Sequence, residues 1–97
     1  MNQNKTAILI HTKHYRDTQG NTYSATICQI GHELALVIPR AYGSPEEQQH
    51  RIKEKLTENL GLKNLHTFHA LETFLGGTIY RITEKATARE VKAWGEN

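Results

Sequence analysis

The sequence predicts a single α+β domain over residues 1–97, in which an antiparallel sheet of three to four strands packs against one main amphipathic helix and short C-terminal helices. Three observations carry this prediction: a hairpin pattern early in the chain, a helix start signal at Ser44, and a β-rich run at 78–83. The length of 97 residues fits one domain, and a composition of 37% hydrophobic and 23% charged residues is typical of a folded globular chain.

An opening β-hairpin is indicated by two runs of strand-forming residues, 6–15 and 22–30, which are rich in Thr, Ile and Tyr. The polar segment 16–21 between them contains a Gly-Asn pair, and both residue types tolerate the positive φ angles of tight turns. The two runs should therefore pair antiparallel, with Tyr15 across from Tyr23.

A third strand is predicted at 34–38, where Leu and Ile alternate with Ala and Val after a second tight turn at Gly31 and His32. Pro39 should end this strand, because proline cannot donate a backbone hydrogen bond to a ladder. The first part of the chain thus predicts a three-stranded meander.

The main helix is predicted over 45–60. Ser44 is placed to cap it, Pro45 suits its first position, and Glu47 completes a capping box. Gly61 supplies a left-handed C-terminal cap. An apolar stripe at four-residue spacing should face the sheet, formed by Ile52, Leu56 and Leu60.

Two shorter helices and one strand are predicted after the main helix. Residues 62–76 fit helical spacing at least as well as alternation, and we predict a short helix at 67–75. The pair Gly76-Gly77 should end it, and 78–83 should form a fourth strand that joins the meander. A second capping box, Thr87 with Glu90, predicts a short closing helix in which Val91 and Trp94 share a face.

Charge and cysteine usage restrict the compartment and the partner class. The formal net charge is +2 and lies in residues 1–44, a weak signal for nucleic acid binding, which favours a concentrated basic face. The longest apolar run, 7–10, is far below the roughly 18 residues that span a bilayer, and no signal-peptide pattern opens the chain. The single Cys28 excludes an intramolecular disulfide. We expect a cytoplasmic protein with no membrane partner.

No catalytic, cofactor or metal site is predicted. His66 and His69 have a three-residue spacing that is weak by itself, and zinc would need Cys28 or a carboxylate to converge on them. Cys28 lies within a predicted strand, where a small core residue is the simpler interpretation. The pair Gly76-Gly77 lacks the Lys and Ser or Thr that follow a phosphate-binding loop. We therefore expect a non-enzymatic protein without cofactor or metal.

The candidate partner-binding surface combines basic and aromatic residues on and around the hairpin. Such residues dominate protein interfaces, and they also stack bases and contact phosphates. Ordinary cross-strand aromatic pairing is the third interpretation, and it needs no partner. The surface comprises Lys13, His14, Tyr15, Arg16, Tyr23, Arg40 and Tyr42, with Tyr80 and Arg81 as further members.

The run from His11 to Tyr23, the triplet Ala41-Tyr42-Gly43 and the strand Ile79–Ile82 together resemble a family of small phage and prophage accessory proteins with an opening hairpin. The resemblance implies a protein that acts in the host cytoplasm by binding a host protein or ribonucleoprotein complex stoichiometrically, as anti-CRISPR inhibitors do. Many anti-CRISPR proteins mimic DNA with acidic faces, and the charge of +2 departs from that pattern. The alternative is a small RNA- or DNA-binding regulator that uses the basic and aromatic sheet surface.

Overall fold

The structure, a computed structural model, describes residues 6–62 and 67–94. It confirms an α+β fold with a four-stranded sheet in the order β3-β2-β1-β4 and three helices. The elements are β1 (Thr6–Arg16), β2 (Thr22–Ile30), β3 (Glu33–Tyr42), α1 (Pro45–Asn59), α2 (Phe68–Leu75), β4 (Gly77–Lys85) and α3 (Ala88–Ala93).

The opening hairpin forms as predicted. Strands β1 and β2 pair antiparallel from Ile8 opposite Ile30 up to the turn, and Tyr15 lies opposite Tyr23. The Asp17 carboxylate closes the turn, because it accepts the backbone N–H groups of residues 19 and 21, both at 2.9 Å. Gly20 takes the positive φ of 88° that this turn requires.

Strand β3 continues through Pro39, so the expectation that this proline ends the strand is wrong. The pairing of β3 with β2 jumps from Ser24 opposite Ala41 to Thr26 opposite Ile38, which leaves Pro39 and its neighbour in a bulge. Because β3 is an edge strand, a bulge there accommodates a residue that has no N–H to donate.

Strand β4 corrects a second expectation, that of a purely antiparallel sheet. It runs parallel to β1, from Gly77 beside Thr6 to Lys85 beside His14, and the sheet is therefore mixed. Two helices separate β3 from β4 in the chain, which gives the crossover length that a parallel return needs. Gly77 is required at the start, because a Cβ atom there would collide with the Thr6 carbonyl oxygen.

Helix α1 begins at the predicted Pro45 and ends at Asn59, one residue before the predicted end, with Leu60 as its C-cap. The Ser44 Oγ accepts the Glu47 N–H at 3.2 Å, and the Glu47 carboxylate accepts the Ser44 N–H at 3.1 Å. Gly61 follows the helix with a φ of 69°. Ile52 and Leu56 are buried against the sheet, whereas Leu60, the third residue of the stripe, is 40% exposed.

Helices lie on both faces of the sheet. The faces of β1 alternate, so Ile8 and Ile10 point toward α1 and α2, and His11 points toward α3. The main core lies on the first face and consists of Ile8, Ile10, Cys28, Ile38, Ile52, Leu56 and Leu71. On the second face α3 packs mainly on β1 and buries Val91.

The two short helices form where predicted, but α3 ends at Ala93, so Trp94 is in extended backbone and does not share a helical face with Val91. Helix α2 lies within the predicted range 67–75 and ends at Gly76 in the left-handed conformation. The remainder of the ambiguous stretch, 63–66, lies outside the described residues. Helix α3 carries the predicted capping box, in which the Thr87 hydroxyl accepts the Glu90 N–H at 3.1 Å.

Polar side chains form a buried layer between α1 and the sheet. The hydroxyls of Thr12 and Thr26 lie 2.8 Å apart, and the Gln49 amide nitrogen is 3.4 Å from Thr12 Oγ1. Gln48 donates to the Ser24 carbonyl at 2.9 Å and is fully buried. The bonds of Gln48 and Gln49 fix the position of α1 along the strands, since an unpaired buried polar group is costly.

Alanine substitutions in the apolar stripe of α1 should distinguish its buried residues from its exposed residue by their effect on the free energy of unfolding. Leu56→Ala removes buried methyl groups and should lower the free energy of unfolding by about 2 to 5 kcal/mol in a denaturant melt. Leu60→Ala at the C-cap of the same helix is the matched control, and it should lower the free energy by less than about 1 kcal/mol. Equal losses would contradict the assignment of Leu56 to the core.

The close approach of β4 to β1 gives a second stability prediction. Gly77→Ala should destabilise the fold by about 3 kcal/mol or more, because the new methyl group must displace the Thr6 backbone and its ladder bonds. Gly76→Ala meets open space and adds only the strain of its positive φ, about 1 kcal/mol. Unfolding free energies that rank the two variants in the reverse order would refute the role of Gly77.

Candidate functional site

Three tyrosines form a row across the sheet, each on a neighbouring strand. The rings of Tyr15 on β1 and Tyr23 on β2 stack with centroids 5.4 Å apart and planes at 22°. Tyr42 on β3 meets Tyr23 edge to face, with centroids 5.8 Å apart. The register explains the row, because Tyr23 is the direct cross-strand partner of both other tyrosines.

Arg40 completes this row. It lies in the β3 bulge, its guanidinium carbon is 5.1 Å from the Tyr23 ring centroid, and its Nη1 donates to the Tyr15 hydroxyl at 3.1 Å. We call the four residues Tyr15, Tyr23, Arg40 and Tyr42 the tyrosine face. Its β3 end is open to solvent, since Arg40 is exposed and Tyr42 is 65% exposed, whereas Tyr15 and Tyr23 are half-buried.

The charge of Arg40 is not neutralised within the described parts of the chain. Across residues 6–62 and 67–94, no carboxylate lies within salt-bridge distance of its guanidinium. Only one of its five N–H donors has a hydrogen-bond acceptor there, the Tyr15 hydroxyl. The tyrosine face therefore presents aromatic area around a cation with spare donors.

Lys13 points to the same side of the sheet but belongs to a neighbouring cluster around α3. Its ammonium lies 4.6 Å from the centroid of the Trp94 ring. His11 packs edge to face on that ring at 4.7 Å and hydrogen-bonds to Glu84 at 2.7 Å. Sequence reasoning missed this cluster, because no local spacing connects His11 with residues more than 70 positions away.

The structure separates His14 and Arg16 from the tyrosines. Residues on a strand alternate between faces, so these two point to the α1 side while Tyr15 points to the other. The predicted surface is therefore divided between the two faces of the sheet, with Tyr15 next to both parts. His14 and Arg16 line a groove of about 830 Å³ at the hairpin end of the sheet. The lining of this hairpin groove also includes Tyr15, Asp17, Ser44, Lys85 and Thr87.

Electrostatics in and beside the hairpin groove are mixed. Partial burial lowers the pKa of His14, and the nearby Lys85 ammonium lowers it further, so the imidazole favours its neutral form. The Asn21 N–H, with other turn donors, lowers the pKa of Asp17. Hydrogen bonds from Ser44 likewise lower the pKa of Glu47, which caps α1 beside the groove. The groove lining thus combines the Asp17 carboxylate with the cations of Arg16 and Lys85.

Tyr80 and Arg81 lie away from the tyrosine face, which corrects their inclusion in the surface. They are on β4, which β1 separates from β2 and β3. The Arg81 guanidinium carbon lies 4.4 Å from the Phe68 ring centroid on the α1 side of the sheet. Tyr80 is 54% exposed on the opposite side.

Side chains that could bind a metal ion do not converge in the described residues. Within 6–62 and 67–94, no three His, Cys, Asp or Glu side chains are close enough to hold a metal ion. His66 lies outside the described residues, and His69 is 3.7 Å from Glu72. Burial raises the pKa of Cys28 to about 11, which keeps it as a thiol and confirms its place in the core.

Comparison with known proteins gives no relative: the chain matches no family model, no curated protein and no solved structure. In the described part of the chain, no helix has the length and apolar character to cross a membrane. Function is therefore inferred from the geometry of the tyrosine face and the hairpin groove.

Titration of His14 provides a test of the hairpin groove. Its pKa should lie below the ordinary value of 6.5, so the unfolded chain binds the proton first as the pH falls. His14 should therefore reduce stability progressively below about pH 6.5, and NMR of the imidazole should report the lowered pKa. Lys85→Gln should raise this pKa only partly, because burial is the larger cause. Lys92→Gln on α3 is the control and should leave the pKa unchanged. A wild-type pKa above 6.5 would contradict the described groove.

Proposed function

We propose that this protein is a non-enzymatic binding module that holds a partner protein on its tyrosine face. The observation that carries the proposal is the row of Tyr15, Tyr23 and Tyr42 with the Arg40 guanidinium against the rings, in which Tyr15 and Tyr23 are half-buried and Arg40 and Tyr42 are exposed. Tyr and Arg are the residue types that contribute most strongly to protein interfaces, where large rings desolvate and guanidinium groups form several hydrogen bonds.

Pre-organisation supports the proposal. The tyrosine rings already pack on one another at 5.4 and 5.8 Å in the free chain, and Arg40 is held by the Tyr15 hydroxyl at 3.1 Å. A partner therefore has fewer side-chain rotamers to immobilise when it binds. The four residues come from three adjacent strands of one sheet, a more rigid support than a loop.

The spare donors of Arg40 define the chemistry of the partner. A carboxylate above the guanidinium would make a charge-assisted, bidentate contact, and flanking apolar groups would cover the rings. The resemblance to phage accessory proteins supports a host defence complex as the partner class and stoichiometric inhibition as the action. For a ribonucleoprotein complex, the proposed contact is with its protein subunits.

Nucleic acid binding is the second candidate, since the hairpin groove holds Arg16 and Lys85. The geometry favours it less, because those cations lie on the opposite side of the sheet from the tyrosine rings. Tyr15 lines this groove, but Tyr23 and Tyr42 do not, so a single strand held there would contact only one end of the tyrosine row. Lys13, the cation nearest to the tyrosine face, is already engaged with Trp94.

Affinity measurements on surface variants test the proposal. The full chain is used to capture proteins from nuclease-treated host lysate, and the captured protein is then purified and titrated. Tyr42→Ala and Arg40→Ala should each weaken its binding by about 2 kcal/mol, roughly 30-fold. Tyr80→Ala and Arg16→Ala are the matched controls, because they remove the same residue types from other surfaces. Both controls should bind like the wild type.

Oligonucleotide titrations decide between the two candidates. Random duplex and single-stranded oligonucleotides should bind more weakly than about 10 μM at physiological salt, near the non-specific range. Sub-micromolar binding that falls steeply with salt and is lost in Arg16→Ala would establish the nucleic acid alternative. Loss of protein capture after nuclease treatment would point the same way.

A further inference from the structure

The two edges of the sheet differ in how they are protected. Strand β3 is interrupted by a bulge that contains Pro39, a common device against edge-to-edge pairing. Strand β4 has neither proline nor bulge, and all nine of its residues pair in regular register with β1. Beyond Ile79, whose outward N–H is bonded to Glu72, its outer edge is therefore a straight template for another strand.

Two hydrogen bonds show which backbone groups of β4 point outward. The Ala86 N–H donates to the His14 carbonyl of β1 at 2.8 Å, so even-numbered residues direct their backbone groups toward β1. The Ile79 N–H points outward and donates to the Glu72 carboxylate at 2.6 Å. Since backbone direction alternates along a strand, Arg81 and Thr83 also present their N–H and C=O groups at the outer edge.

Two partly exposed apolar side chains lie on β4 beside this outer edge. Tyr80 and Ile82 lie next to each other on one face of β4 and are 54% and 43% exposed. From Tyr80 to Lys85 every residue is exposed, so neither the described helices nor the other strands cover this end. An exposed regular edge with adjacent apolar side chains favours pairing with a further strand.

We propose that the occupant of this edge is a second copy of the chain, with the two β4 strands antiparallel about a twofold axis at Ile82. In this register Arg81 exchanges backbone hydrogen bonds with the partner's Thr83, and Thr83 with the partner's Arg81. Ile82 faces the partner's Ile82 as a non-hydrogen-bonded pair, the closest side-chain arrangement in an antiparallel ladder. The product is a continuous sheet of two four-stranded halves.

Charge complementarity selects this register over its neighbours. A twofold axis at Arg81 would set that guanidinium against its own copy, and an axis at Thr83 would set Arg81 against the partner's Lys85. With the axis at Ile82, Lys85 lies opposite the partner's Ile79, at the position where Glu72 caps the edge. Each Lys85 ammonium then approaches a carboxylate, and Glu84 lies beside the partner's uncharged Tyr80.

Sedimentation equilibrium of the purified chain tests the proposal independently of the tyrosine face. The wild type should reach twice the mass of one chain within a range of about 1 μM to 1 mM. Ile82→Lys places two ammonium groups at the axis and should weaken the dimer by at least about tenfold. Thr83→Pro removes an outward N–H while leaving the β1 ladder intact, and it should have the same effect. Leu34→Lys is the control on the β3 edge, where Leu34 is 53% exposed, and it should dimerise like the wild type.

Oxidative cross-linking tests the register itself. Ile82→Cys should form an intermolecular disulfide readily, because the two side chains adjoin at the axis, and native Cys28 is buried. Leu34→Cys should cross-link much more slowly. A wild type that stays monomeric throughout this range, equal effects of Ile82→Lys and Leu34→Lys, or equal cross-linking of the two cysteine variants would overturn the proposal.

Discussion

The parallel pairing of β4 with β1 is the contact on which the rest of the structure depends. It makes β1 an interior strand, whose Ile8 and Ile10 then contribute to the core on one face of the sheet. It also returns the chain to the hairpin end, from which α3 crosses the second face and buries Val91. The pairing depends on Gly77, the residue at which the Thr6 backbone leaves no space for a side chain. The packing on both faces of the sheet therefore depends on Gly77.

A buried polar layer links the core to the tyrosine face. Ser24 donates its hydroxyl to the Gly43 carbonyl at 2.9 Å, while Gln48 of α1 donates to the Ser24 carbonyl. Gly43 lies between Tyr42 and the Ser44 cap of α1, so these bonds hold the end of β3 and the start of α1 in a fixed relation. The positions of Tyr42 and, through the bulge, of Arg40 therefore depend on a network beneath the sheet.

Local signals in the sequence predicted local structure well. The Gly-Asn turn, the Tyr15–Tyr23 pair and the two capping boxes all depend on residues close together or on hairpin register, and the structure confirms each of them. The direction of β4 was not predictable from its composition, because strand propensity does not distinguish parallel from antiparallel pairing. The continuation of β3 through Pro39 depends on its edge position, which is a property of the complete sheet.

The candidate site shows the same division. Tyr15, Tyr23, Arg40 and Tyr42 do come together, since cross-strand register follows from the turns. His14 and Arg16 do not join them, and two-residue alternation along β1 was sufficient to separate these residues from Tyr15. The His11, Glu84 and Trp94 cluster requires tertiary contacts that no spacing rule provides. The residue types of the candidate surface were therefore predicted from the sequence, whereas their distribution over the two faces of the sheet was not.

The separation in sequence between β1 and its parallel partner bears on the order of folding. The contact between His11 and Glu84 joins residues 73 positions apart, whereas the Tyr15–Tyr23 pair belongs to a local hairpin. Closing so long a loop costs more chain entropy than forming adjacent strands, and it is repaid only when β4 docks. The meander of β1, β2 and β3 is therefore the natural nucleus, and the outer side of β1 stays open until residues 77–85 have been synthesised. During that interval, the nascent chain exposes an unpaired strand edge to the cellular folding machinery.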